Sequence, residues 1–277
     1  MSADDKPEET SLILSNARGV MTPSSSLVNR GLNLAQFGSE IGVELESPKV
    51  VFNRLGMAFI RIPAGEFMMG AEKSALTCHL PCHRVKISQP FYLGMHLVTQ
   101  AQWEAVMGSN PSHFKGQLER PVERVSWDDI QEFLHQLNER EALGAYRLPT
   151  EAQWEYACQA GSTSGYGLNE DADQLQDYAW YGGSTASPQP VGQKLPNAWG
   201  LHDMLGNVWE WCHDGRRQYT VDEMVDPIGP AEAGADRVIR GGSWNSPAHA
   251  VYERFEFAPD SRYGHIGFRC LRSGPSQ

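Results

Sequence analysis

The sequence predicts an α+β fold with few helices, short strands and much ordered loop, and three observations point there. Gly and Pro number 27 and 17 in 277 residues, beside 8 Trp, which exceeds the usual ~12 per cent for the Gly and Pro pair. Only three segments open with helix-capping chemistry. The apolar runs elsewhere are four to eight residues long and bounded by Pro or Gly, as short strands are.

The strands come first along the chain. Phe59-Ile60-Arg61-Ile62 and Glu66-Phe67-Met68-Met69-Gly70 flank a Pro63-Ala64-Gly65 turn. Arg84-Val85-Lys86-Ile87 alternates apolar and polar, and Pro90-Phe91-Tyr92-Leu93-Gly94 follows as another strand. The helix starts are Thr99-Gln100-Ala101-Gln102-Trp103 and Thr150-Glu151-Ala152-Gln153-Trp154, near copies with Thr at the N-cap and Gln three residues later. Between them Ser126-Trp127-Asp128-Asp129 opens a longer helix, whose Trp127, Ile130, Phe133, Leu134 and Leu137 share one face. Its acidic start suits the positive end of the helix dipole. After about residue 165 the helix signals stop, and the last hundred residues predict an irregular half with little regular structure.

Residues 1–50 contain no Trp and no sustained period, and predict a partly ordered extension that docks another protein, with one short helix over Ser24–Leu34. Residues 51–277 form the domain. With 23 Lys and Arg against 34 Asp and Glu, the net charge of −11 repels a phosphate backbone and argues against nucleic acid as a partner. No run reaches the ~18 apolar residues of a membrane helix. The acidic start Met1-Ser2-Ala3-Asp4-Asp5 lacks a secretory signal, which gives a cytoplasmic location as the expectation. The run Cys78-His79-Leu80-Pro81-Cys82-His83 packs four soft ligands into six residues, but no second cluster completes a zinc site. A surface loop carrying thiols is the better expectation there.

A series of motifs gives the chain a family likeness. They are Ile62-Pro63-Ala64-Gly65-Glu66-Phe67-Met68-Met69-Gly70, Val98-Thr99-Gln100-Ala101-Gln102-Trp103, Pro121-Val122 with Val125-Ser126-Trp127-Asp128-Asp129, and Tyr146-Arg147-Leu148-Pro149-Thr150-Glu151. Asn197-Ala198-Trp199-Gly200-Leu201, Gly206-Asn207-Val208-Trp209-Glu210-Trp211, Arg240-Gly241-Gly242-Ser243-Trp244 and Gly267-Phe268-Arg269 complete the order. Over residues 57–270 the chain resembles the formylglycine-generating enzyme (sulfatase-modifying factor) family. The resemblance implies a variant of the C-type lectin fold, with a small twisted antiparallel sheet, about three helices and high irregular content. It also implies that Cys158 and Cys270 occupy positions that are disulfide-bonded in secreted relatives, here expected as buried thiols.

The resemblance also sets the chemistry. Family members that make formylglycine hold copper with a cysteine pair, and the matching positions here are Ser246 and Val251. Neither supplies the thiolate that Cu(I) requires, so formylglycine synthesis is not expected, and no redox metal is predicted. Asp203, Gly206, Val208 and Glu210 match a calcium site of the family, whose hard oxygen donors suit that ion. The segment Trp244–His265 resembles the variable region of diversity-generating retroelement proteins on the same fold. Its frame is Trp244, Asn245, Ala248, Val251, Pro259, Asp260, Arg262 and Ile266–Arg269. The intervening Ser246, Pro247, His249, Ala250, Tyr252, Phe255, Phe257, Ser261, Tyr263, Gly264 and His265 are the candidate ligand-binding residues. Aromatic side chains suit recognition because they give large contact area with few torsions to freeze.

The expectation is a non-catalytic protein that binds a protein or glycan ligand through residues 244–265. The alternatives are a metal-dependent oxidoreductase of the same family, using non-heme iron or copper, and a regulatory or scaffold module. None of the nine histidines stands in a recognisable two-His-one-carboxylate motif.

Overall fold

Each of the three main helices begins where the sequence predicts and on a reciprocal capping box, including the Ser126–Asp129 pair, expected from the sequence only as a helix start. Gln102 N–H donates to Thr99 Oγ1 at 3.2 Å and Thr99 N–H to Gln102 Oε1 at 3.0 Å, opening α1 (Gln100–Met107). Ser126 with Asp129 opens α2 (Trp127–Arg140), and Thr150 with Gln153 opens α3 (Glu151–Gln159). Gly108 ends α1 in the left-handed conformation, φ 75°, which glycine adopts without a Cβ penalty. A single further turn forms α4 (Leu175–Tyr178). Ile130, Phe133, Leu134 and Leu137 of α2 are buried, and the half-buried Trp127 gives its indole N–H to Cys212 O at 2.9 Å. This computed structural model describes residues 13–14, 21–22, 49–141, 146–166, 174–230, 232 and 234–273. The helix expected over Ser24–Leu34 lies outside the described residues.

The strands are β1 (Ile13–Leu14), β2 (Met21–Thr22), β3 (Val50–Phe52), β4 (Ala58–Ile62), β5 (Gly65–Met69), β6 (His83–Ile87) and β7 (Phe91–Gly94). They continue as β8 (Tyr146–Arg147), β9 (Trp209–Gly215), β10 (Met224–Val225), β11 (Arg237–Arg240), β12 (Arg254–Phe257), β13 (Ile266–Gly267) and β14 (Leu271–Arg272). β1 and β2 pair with each other. The rest make a five-stranded sheet in the order β3-β4-β7-β14-β8, a four-stranded sheet β12-β11-β9-β13 and a three-stranded sheet β10-β6-β5. Pairing is antiparallel except for β10 with β6 and β13 with β9.

The strands on either side of Pro63-Ala64 do not pair with each other. β4 joins β3 and β7, while β5 joins β6, so the turn carries the chain from one sheet to the next. The last hundred residues are also more regular than predicted, because they supply the four-stranded sheet. Trp209-Glu210-Trp211-Cys212 is buried on both faces and therefore shows no alternation to read.

Two apolar clusters fill the interior. In one, Trp103 stacks on Phe133 at 5.0 Å and both meet Phe268 edge-on. The other gathers Ile62, Leu93, Trp154, Leu201 and Val238. Between α3 and β11 lies a buried ionic cluster of Glu151, Glu155, Arg240 and Arg254. All five cysteines are free thiols, with Cys158, Cys212 and Cys270 buried. The Cys78–His83 segment is less exposed than expected of a surface loop, since His79 and His83 are each 1% exposed. Among the described residues no three His, Cys, Asp or Glu side chains gather as metal ligands, and no helix is long and apolar enough to cross a membrane.

Candidate functional site: an aromatic patch on an edge strand

The 244–265 segment leaves the core at Gly241-Gly242 and rejoins it at β13. Its middle is β12, paired with β11 from Arg240↔Arg254 to Arg237↔Phe257 and outermost in its sheet. Strand alternation puts Phe255 and Phe257 on one face and Arg254 and Glu256 on the other. Phe255 meets Trp209 edge to face at 5.2 Å and His249 at 5.7 Å, and His249 lies 4.8 Å from Trp209. Phe257 meets Tyr263 at 5.1 Å, and Tyr263 stacks on His265 at 5.4 Å. The two ring groups are joined through β12 and through Trp209 N–H, which donates to His265 O at 2.8 Å. Phe255 and Tyr263 are 40% and 41% exposed, whereas Trp209 is 6% exposed and anchors the patch to the core.

The structure therefore brings together five of the eleven predicted ligand-binding residues: His249, Phe255, Phe257, Tyr263 and His265. The others stand apart from those rings. Tyr252 lies 5.8 Å from His79 and packs on the Cys78–His83 segment instead. Ser246 closes a turn: its Oγ accepts Ser243 N–H at 2.9 Å and its carbonyl accepts Gly182 N–H at 2.7 Å. Pro247 is exposed beside it. Ala250 donates its N–H to Glu253 Oε1 at 3.2 Å, and Ser261 N–H closes a turn on Ala258 O at 3.0 Å. Gly264, which links Tyr263 to His265, has no ring of its own and packs toward Phe114, which a Cβ would meet at 3.4 Å.

Two residues that build the patch are not among the eleven predicted, and one of them lies outside 244–265. Trp209 belongs to a framework motif in β9 and shows its role only once β9, β11 and β12 are aligned. Glu253 holds His249 through an Oε2–Nδ1 contact of 2.7 Å. The i, i+4 spacing of that pair is the one signal the sequence offers.

The four residues matched to a calcium site fall in one turn before and within β9. Gly206, at φ 78°, packs so close that a Cβ would stand 2.2 Å from Trp180 O. Asp203 Oδ2 accepts Gly192 N–H at 2.8 Å. Glu210 gives both oxygens to Arg269, at 2.7 and 2.8 Å, and Arg269 also reaches Asp203 O at 3.3 Å. Val208 is fully buried. The guanidinium thus pairs with the Glu210 carboxylate and with the Asp203 main-chain carbonyl, while the Asp203 carboxylate accepts from Gly192 N–H and Asn207 Nδ2, and burial raises the pKa of both acids. The donors are hard oxygens of the kind calcium takes, but Glu210 would have to be shared with Arg269, and Asp203 with Gly192 and Asn207.

The family described as sulfatase-modifying factor enzyme 1-like domain matches residues 49–274. The chain belongs to this family. A formylglycine-generating enzyme of Streptomyces coelicolor is 35% identical over 193 residues, covering 62% of this chain and 59% of the enzyme's length. The chaperone protein LppX of Paenibacillus barcinonensis is 31% identical over 235 residues, covering 66% of this chain and 80% of that protein. Among solved structures, Treponema denticola variable protein 1 superposes with a TM-score of 0.74 at 30% identity, over 82% of this chain and 100% of that one. Membership agrees with the mixed α+β architecture and the curled, mainly antiparallel sheets. It does not restore the cysteine pair: this member of the sulfatase-modifying factor family carries the hydroxyl of Ser246 and the isopropyl group of Val251, 3% exposed, at those two positions.

Proposed function

We propose that the protein is a non-catalytic member of its family that binds a protein or glycan ligand through the aromatic patch of β12 and the 261–265 loop. One observation carries this: exposed Phe255 and Tyr263 stand in interlocked rings whose inner members are fixed in the core. Exposed aromatics on a rigid backing are the usual source of binding energy at interfaces, because little motion is lost on contact. The likeness to Treponema denticola variable protein 1 supports a receptor built on a fixed frame with exchangeable side chains. In that reading His249, Phe255, Phe257, Tyr263 and His265 are the exchangeable contacts. Formylglycine synthesis is not proposed, because serine and valine cannot hold Cu(I) as a thiolate pair does. Calcium at the Asp203 turn is proposed as a structural ion only.

The test screens the full chain and a Phe255→Ala/Tyr263→Ala variant against protein and glycan arrays. Ligands held by the wild type and lost by the variant support the proposal. The same retention by both refutes it.

A further inference from the structure

A cavity of about 560 Å³ lies between α1 and the loop that carries Tyr263. Its apolar side is Trp103 and Met107 of α1 with Pro111 beyond the helix, where Ser109 adds a hydroxyl. Its polar side is Arg124, Asp129 and Arg262. The volume falls within the ~300–1,000 Å³ of small-molecule pockets, which combine apolar walls with a few placed polar groups. Ser109, Pro111, Arg124 and Arg262 are all exposed, so a ligand reaches the charged groups without displacing the core.

The two arginines differ. Arg262 is already paired: Nε and Nη2 each donate to one Asp129 oxygen at 2.7 Å, and Nη1 donates to Asp260 O at 3.0 Å. Burial pushes the Asp129 pKa up, but the bonds from Arg262 and Ser126 outweigh it and hold the acid ionised. Asp128 and Asp260 act on Arg262 and do not line the cavity. Arg124 has no ion pair or side-chain hydrogen bond among the described residues. Its charge acts on the neighbouring Glu123, but that carboxyl is fully buried and accepts Phe114 N–H at 2.8 Å. One guanidinium therefore lines the cavity without an exposed partner.

The backbone of Arg124 is a second sign. It stands at φ 60°, where residues with a side chain are uncommon, and its N–H donates to Tyr263 O at 3.0 Å. Glycine or asparagine takes that conformation with less strain, so what the strain retains is the guanidinium. Strain of this kind gathers at binding sites.

We propose that this cavity binds a small organic acid, with its carboxylate on Arg124 and its apolar body against Met107 and Pro111. A guanidinium fork matches the two oxygens of one carboxylate, and one unpaired charge matches a monoanion. The apolar walls favour an aliphatic or aromatic body over a sugar. The site goes beyond the aromatic patch and does not depend on it.

The test titrates the full chain with sodium phenylacetate by calorimetry, with phenethyl alcohol and phenethylammonium chloride as neutral and cationic controls. The acid binds saturably, and the controls bind roughly tenfold or more weakly because they lack the charge-assisted hydrogen bonds. Arg124→Asn removes the charge and suits the left-handed backbone, so it weakens phenylacetate binding by a similar factor while its Tm does not fall. Phe255→Ala/Tyr263→Ala leaves the titration unchanged, because the bond from Arg124 goes to the main chain of Tyr263. No saturable binding of the acid, equal binding of the alcohol, unchanged affinity or a lower Tm in Arg124→Asn, or loss of binding in the patch variant overturns the pocket. The titration uses no array ligand, so failure of the patch and failure of the pocket are read separately.

Discussion

His249 Nδ1 stands 2.7 Å from Glu253 Oε2, and the same imidazole rests 4.8 Å from Trp209 and 5.7 Å from Phe255. The carboxylate thus fixes the ring that backs the exposed Phe255. A Cβ on Gly242 would press on His249 Cδ2 at 3.1 Å, so the other side of the ring is closely confined. Glu253→Ala is expected to weaken ligand binding by releasing the imidazole. Stability should change by no more than about 1 kcal/mol, because the pair is partly exposed. Parallel binding and urea-denaturation measurements check this; unchanged affinity would show that Glu253 does not position the patch.

The ionic cluster behind β12 should behave in the opposite way. Glu151 meets Arg240 Nε at 3.4 Å and Arg254 at 2.9 Å, Glu155 meets Arg240, and all four side chains are 1% exposed or less. Burial opposes the charge of Arg240, but Glu155 and Glu151 outweigh it and keep the guanidinium protonated. Arg240→Met leaves Glu155 buried and uncompensated, which costs about 3–5 kcal/mol. Removing the exposed Arg84–Glu66 pair, 56% and 44% exposed at its side chains, costs about 0–1 kcal/mol. Urea denaturation of the two variants should separate them clearly, and equal losses would contradict the ranking.

Calcium at the Asp203 turn has its own signature. If Asp203 and Glu210 share one ion with the main chain of Gly206 and Val208, chelation lowers the wild-type Tm and Asp203→Ala abolishes that sensitivity. A Tm indifferent to both chelator and added calcium would mean that Arg269 alone closes the turn.

Acid sensitivity should pass through His83. Its Nε2 accepts from Arg217 at 2.8 Å and its Nδ1 faces Pro81 O at 3.2 Å, so the ring is held neutral. Burial lowers its pKa first, then the nearby Arg217 and Arg254 charges, against the Pro81 carbonyl and Glu151. Tyr219 packs on the same ring at 4.7 Å. In the unfolded chain this histidine takes a proton near ~6.5. Below that pH the unfolded state binds a proton that the folded state refuses, so stability is lost as pH falls and is intact above it. An NMR titration should show His83 still neutral at a pH where free histidine is half protonated, and titration at the free value would contradict this.

The sequence exposed most where local rules decide. Thr99, Ser126 and Thr150 announced their helices because a cap and its answering side chain lie three residues apart. β9 stayed hidden because Trp209 through Cys212 are buried on both faces. The two strands around the Pro63-Ala64-Gly65 turn were legible, whereas nothing local says that β4 and β5 belong to different sheets. The same limit applied to the site. Phe255, Phe257, Tyr263 and His265 were legible as aromatics between framework residues, whereas Tyr252, three and five residues from Phe255 and Phe257 along the chain, turns toward His79. Trp209 needed the fold, since its ring partners His249 and Phe255 lie 40 or more residues away.

That divergence supplies the sharpest comparison. Phe255→Ala/Phe257→Ala/Tyr263→Ala removes the patch rings, while Tyr252→Ala removes an aromatic of the same segment that lies elsewhere. With a ligand captured by the wild type, calorimetric titration of both variants should show binding lost in the triple variant and retained in Tyr252→Ala, with both folded by circular dichroism. Retained affinity in the folded triple variant, or loss only in Tyr252→Ala, would contradict binding through the β12 patch.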